Sequence, residues 1–377
     1  MTGDRDAIAL AERVLGILDE GGFSATYKFA LFTAILDLCI EKKFIKGVVP
    51  ETLTTRDIAE RVVELYWDHA TPYKGTETLR QGGGRGQQAG ILSLIVEARE
   101  GWAQSGTDTL YRAQAHKSQF DTLVCEVEWK LIEMPIPRLQ VLGRHEERFL
   151  YEYNWSKSIH RSVVTRYQQQ RGNSRGASRR FDGTGFDNRL VLLPGVAEHL
   201  VRLNGVLRPL FYREWATMVA RMNQLPESEL EEFLFGRRRT SLVPIREPLR
   251  ALQKEMCFYC DEGLVNVAEV DHFIPWMRYP DNGLDNLVVA HPRCNNKKRD
   301  FLAAAKHVER WKERLKTKDA ELSGIAASTR WRRNSDRTTS IAKSIYSRLP
   351  LSARLWMHAS TFGPNERDRI SAALEDW

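Results

Sequence analysis

Four short segments decide how this chain is read: Cys257-Phe-Tyr-Cys260, Val270-Asp-His-Phe-Ile-Pro275, Gly283-Leu-Asp-Asn286, and His291-Pro-Arg-Cys294-Asn-Asn-Lys-Lys298. The first and last form a pair of knuckles, Cys257-x-x-Cys260 and His291-x-x-Cys294. A two-residue spacer lets both members of a knuckle reach one ion, and two knuckles complete the tetrahedral set that zinc takes in structural sites. Four protein ligands leave no position open for water. The spacing therefore predicts a zinc ion that holds the fold and does not cut anything. Between the knuckles, a strand-like run at 267–270 leads into Asp271 and His272, Asn286 follows in a turn-rich stretch, and Asn295 stands beside the last cysteine.

These linked motifs resemble an HNH endonuclease domain of the zinc-containing kind, the ββα-metal nuclease fold, over about residues 253–302. The three name-giving positions are His272, Asn286 and Asn295. Related zinc-containing members more often carry cysteine at the position of His291, which is itself a competent zinc ligand. The resemblance implies that Asn286 orients the His272 ring from a loop, and that Lys297, Lys298 and Arg299 lie beside the phosphate path.

The residue types suit that chemistry. A phosphodiester is hydrolysed when water attacks phosphorus in line, a base takes the proton, and a cation meets the charge of the departing oxygen. Histidine has the pKa for the base near neutrality, which points to His272. Asp271 projects from the other side of the strand, where its carboxylate can hold a hard cation, and the Asn295 amide oxygen can serve the same ion. Oxygen ligands favour Mg2+ or Mn2+, distinct from Zn2+ on the thiolates.

The remaining sequence bounds the class. With 377 residues the chain has room for several domains, and 42% apolar with 28% charged residues is ordinary globular usage. The most apolar run, 29–40, is short and carries Asp37. The acidic start, with Asp4, Asp6 and Glu12, does not read as a signal peptide, so no membrane is expected and the localisation is read as cytoplasmic. Five cysteines are too few and too scattered for a disulfide framework; Cys39 and Cys125 read as core residues. The net charge of +7 favours an anionic partner. It is unevenly placed: residues 301–377 hold 15 Lys and Arg against 9 acids, and 151–185 hold 7 against 2. The stretch 261–300 has more acids than bases. The grip on nucleic acid is therefore expected outside the cutting module, with Arg171, Arg175, Arg179 and Arg180 among its suppliers.

The expected fold class is α+β. Helical spacing dominates 1–105, where a capped helix from Thr54 or Thr55 leaves open a winged-helix reading beside a plain bundle. The region 106–240 reads as mixed, because the period shifts toward two from Leu123 to Trp155 and predicts a hairpin of 139–142 with 149–155. The nuclease module is placed at 250–312 and a basic helical tail at 313–377. Together these readings predict a metal-dependent DNA endonuclease of bacterial restriction or defence, with double-stranded DNA as partner and a homodimer left open. The alternative is a zinc-stabilised nucleic-acid-binding protein that does not cleave, although such a protein has no need of a histidine beside a carboxylate.

Overall fold

The computed structural model describes residues 2–375 apart from 21, 23, 47, 83–87, 104–109, 173–185, 236–241 and 266. Two compact units emerge: Met1–Lys42 with Val48–Phe235, and Lys43–Gly47 with Gly236–Trp377. The parts expected at 1–105 and 106–240 thus lie in one unit, and those at 250–312 and 313–377 in the other. Among the described residues no helix is long and apolar enough to cross a membrane.

In the first unit, α1 (Thr2–Glu20) buries Ala7, Leu10, Val14 and Ile17 on one face. The next helix, α2 (Tyr27–Lys46), belongs to this unit as far as Lys42 and is buried on all sides from Phe29 to Glu41, as a helix apolar all round must be in water. After β1 (Thr52–Thr54), Thr54 caps α3 (Thr55–Trp67) by accepting the Asp57 N–H, while the Asp57 carboxylate accepts from the Thr54 N–H. Then come α4 (Gly90–Ala103), α5 (Leu110–Ala115) and α6 (Lys117–Glu133). The last of these corrects the expected shift toward a period of two. Phe120, Val124, Val127 and Leu131 are buried at helical spacing, and the helix packs on α3.

The hairpin is also smaller than expected. β2 (Val141–Leu142) turns through Gly143, at φ 58°, and pairs only with β3 (His145–Glu146). Gln140 explains why the chain goes elsewhere: its side-chain oxygen accepts from the N–H groups of Phe149, Leu150 and Tyr151, and its amide donates to the Tyr151 carbonyl. So β4 (Tyr151–Tyr153) is freed from the hairpin. Across α7 (Arg161–Gly172) it pairs with β5 (Arg189–Leu192), whose other edge takes β1, giving an antiparallel sheet of order β1-β5-β4. A winged-helix unit within 1–105 alone is therefore incomplete, since two of the three strands come from beyond it.

The unit closes with α8 (Val196–Asn223) and α9 (Glu227–Phe235). Phe211 of α8 stacks on Phe32 at 3.9 Å, and Trp215 donates to the Gln81 side chain at 2.8 Å. Buried Arg208 pairs with Asp37, and Arg61 with Glu41 and Glu64.

In the second unit, α10 (Val243–Leu252) leads to the knuckle and to β6 (Glu269–His272), which pairs antiparallel with β7 (Leu287–Ala290) before α11 (Pro292–Lys298). This is the expected ββα order. The region beyond it, expected as a basic helical tail, is largely helical and carries a hairpin as well. It contains α12 (Ala305–Thr317), α13 (Asp319–Thr329), α14 (Ser335–Ser347), a hairpin of β8 (Arg354–His358) with β9 (Thr361–Pro364), and α15 (Arg367–Glu375). These elements pack against the module because they carry its missing core. Trp311 of α12 stacks on Phe273 at 4.7 Å, and Trp356 of β8 meets Tyr259 at 5.2 Å.

Candidate functional site

The Cys257-x-x-Cys260 turn and the start of α11 bring four ligand atoms together. The side-chain donors of Cys257, Cys260, His291 and Cys294 all lie within 4.8 Å of one another. A tetrahedral zinc ion needs ligand separations of about 3.5–3.8 Å, given its bond lengths, so a small inward adjustment completes the site. His291 is set for it: its Nε2–H donates to the Gly263 carbonyl at 3.0 Å, which turns Nδ1 toward Cys260 Sγ at 3.3 Å. Burial and the neighbouring thiols of Cys257 and Cys260 push the Cys294 thiol up to about 12, and burial raises Cys260 as well. A divalent cation reverses that order by stabilising all the thiolates at once.

Strand β6 presents the next group. Successive strand residues face opposite sides, so Asp271 and His272 diverge. On one side Asp271 is 1% exposed. Its Oδ2 accepts the Tyr259 hydroxyl at 2.6 Å and lies 3.0 Å from the Lys298 ammonium. Burial and the Asp271 carboxylate push the Tyr259 phenol well up, which keeps it a donor. The other oxygen, Oδ1, is buried without a hydrogen-bond partner among the described residues, and so is Asn295 Oδ1 on α11. The Asn295 amide is aligned by Glu269, two residues before Asp271 on the same face of β6, through a 2.8 Å bond from Nδ2 to Oε2. An unsatisfied buried oxygen costs about 1–3 kcal/mol. One is a carboxylate oxygen and the other an amide oxygen, both of the donor type that hard cations take.

On the opposite side His272 is 2% exposed and meets the Trp276 ring edge-on at 5.3 Å. Its Nε2 lies 2.7 Å from Asn282 Oδ1. An amide oxygen only accepts, so Nε2 carries the proton and the imidazole lone pair sits on Nδ1.

Two expected roles change here. The hydrogen bonds of the Asn286 side chain go to the backbone: it accepts from the Ile274 N–H and donates to the carbonyls of Ile274 and Asp281. It ties both ends of the loop and so sets His272 and Asn282 through the backbone. Lys298, expected on the phosphate path, is fully buried between Asp271 and the His272 carbonyl, to which it donates at 2.8 Å. Lys297 and Arg299 are exposed. In the first unit Arg171 pairs with buried Glu128 at 3.2 Å, and Arg175, Arg179 and Arg180 lie outside the described residues. Asn282, Tyr259 and Glu269 are the neighbours that sequence reasoning passed over. A turn asparagine, a tyrosine between two cysteines and a strand glutamate carry no signal until the chain brings them to the site.

The region expected to form a tail clamps the same loop. Trp311 and Arg314 donate to the Asp285 carbonyl, Arg314 also to that of Leu287, and Trp331 to that of Asn282. Arg333 spends its charge on Asp285 at 2.9 Å and Asp319 at 2.6 Å. No curated protein and no solved structure matches the chain. The segment that holds both clusters is nonetheless recognisable: residues 257–304 match the family model of the HNH endonucleases.

Proposed function

We propose that this chain is a metal-dependent endonuclease that hydrolyses DNA phosphodiester bonds, with His272 as general base and Asp271 and Asn295 holding one Mg2+ or Mn2+ ion. The observation that carries the reading is the pair of unpartnered buried oxygens, Asp271 Oδ1 and Asn295 Oδ1, within a segment that matches HNH endonucleases. Oxygen donors of this kind select hard cations, whereas the Cys3His cluster selects zinc. Asp271 and Asn295 would hold the ion, which would supply positive charge for the departing 3′ oxygen. His272 takes the proton of the attacking water on Nδ1, and Asn282 accepts from Nε2–H, an interaction that strengthens as the ring becomes positive. The water oxygen joins phosphorus as the bond to the 3′ oxygen breaks, the departing oxygen takes a proton from solvent, and the products are a 5′ phosphate and a 3′ hydroxyl.

Lys297 and Arg299, exposed at the end of α11, are the candidates for phosphate contacts, with Arg175, Arg179 and Arg180 as a second source; Arg171 is withdrawn from that role by its pairing with Glu128. Double-stranded DNA is the substrate we infer, read by the first unit, where α3 and α6 pack together beside a three-stranded sheet. Restriction of foreign DNA in the cytoplasm is the setting that suits a nuclease module joined to a large separate unit. The role of His272 is tested by His272→Ala. Cleavage of a plasmid should slow roughly 10²–10⁴-fold with zinc content unchanged, and a variant as active as the parent would remove His272 as the base.

A further inference from the structure

The Asp271 carboxylate is held by the zinc knuckle itself. Tyr259 stands between Cys257 and Cys260, its ring fixed edge-on against His307 at 5.4 Å and Trp356 at 5.2 Å, and its hydroxyl reaches Asp271 Oδ2. The preceding residue, Phe258, donates its N–H to the Val289 carbonyl on β7, so the knuckle is pinned to the strand opposite β6. From the other direction, Lys298 bridges the same Oδ2 and the His272 carbonyl. All three side chains are buried, at 3% or less exposed. The two carboxylate oxygens are therefore treated differently: Oδ2 has a phenol and an ammonium, and Oδ1 has neither.

We propose that Tyr259 and Lys298 are positioning residues of the cation site: by occupying Oδ2 they fix the carboxylate plane and leave Oδ1 as the oxygen that binds the ion. Tyr259 thereby links two metals, because the turn that the zinc ligands close is also the turn that orients the catalytic carboxylate. Lys298 does so with an ammonium that is itself fixed between Oδ2 and the His272 carbonyl, away from the surface. The inference rests on the reading of Asp271 and Asn295 as ligands of a hard cation.

The test is Mn2+ binding to the zinc-loaded full-length protein, followed by the electron paramagnetic resonance signal of free Mn2+. Tyr259→Phe deletes one oxygen from the knuckle. It should weaken Mn2+ binding by about 10- to 100-fold, the usual effect of removing a partner behind a metal ligand, while one zinc per chain is retained. Cleavage should return to within a few-fold of the parent at saturating Mn2+, which separates positioning from chemistry. Tyr346→Phe is the control: it removes an equally buried hydroxyl, bonded to the Ala303 carbonyl at 2.9 Å, and should leave Mn2+ affinity unchanged. Parental Mn2+ affinity in Tyr259→Phe, with affinity lost in Asp271→Asn, would overturn the positioning role and leave the cation site standing. Parental affinity in Asp271→Asn as well would overturn both.

Discussion

His272 and His307 are equally hidden, each 2% exposed, yet their surroundings differ. His307 lies between Tyr259 and Trp356 and donates Nε2–H to the Met357 carbonyl at 2.6 Å. Burial pushes its pKa down to about 4, with Lys306 and Arg310 adding to the effect, against 6.5 in the unfolded chain. The unfolded state therefore binds a proton that the folded state refuses. The contribution to stability is complete above pH 6.5 and is lost as pH falls toward 4, by at most about 3 kcal/mol. In urea unfolding, His307→Gln should flatten the fall in stability over that range; an unchanged pH dependence would contradict the assignment. At this scale the sequence is informative where chemistry is carried by residue type and spacing, as for Asp271 beside His272. It is silent where a side chain acts through a partner met only after folding, as Asn282 does across ten residues to His272. The burial of Lys298 is of this second kind, since its neighbours on α11, Asn296 and Lys297, are exposed.

Among the elements, the β6–β7–α11 unit was legible because several motifs had to agree: two knuckles, a strand before Asp271-His272, and a turn around Asn286. The helix α6 was not, because its apolar residues also support a short alternating pattern and only packing on α3 decides between them. The pairing of β4 with β5 is set by a 35-residue excursion that no local period encodes. The knuckles carry the clearest stability consequence. Structural zinc contributes about 10–16 kcal/mol of binding free energy in small zinc domains, as much as or more than the net stability of a typical domain. Cys294→Ser should therefore abolish stoichiometric zinc and unfold the elements around α11, seen as lost protection from amide exchange in β6 and β7. A zinc-free variant with parental protection there would show that the cluster is not a folding site.

At the scale of the whole molecule, the surplus of +7 says less about the cutting site than about its surroundings. The 261–300 stretch has more acids than bases, and several of the arginines beyond it are consumed internally, Arg314 on loop carbonyls and Arg333 on Asp285 and Asp319. The surplus lies in residues 236–377, whose exposed bases, such as Lys297, Arg299 and Arg330, are the ones available to a nucleic acid, and binding through them should weaken steeply with salt. The family match covers residues 257–304, so the task of the first unit rests on its own architecture. The central claim, that the chain cuts DNA with a hard divalent ion while zinc holds its fold, is tested by incubating supercoiled plasmid with the full-length zinc-loaded protein. Cleavage that requires Mg2+ or Mn2+, stops with EDTA and returns when either ion is restored in excess is the expected result. Plasmid that is bound but left uncut under every divalent ion, by protein containing one zinc per chain, would contradict it and identify a binding protein instead.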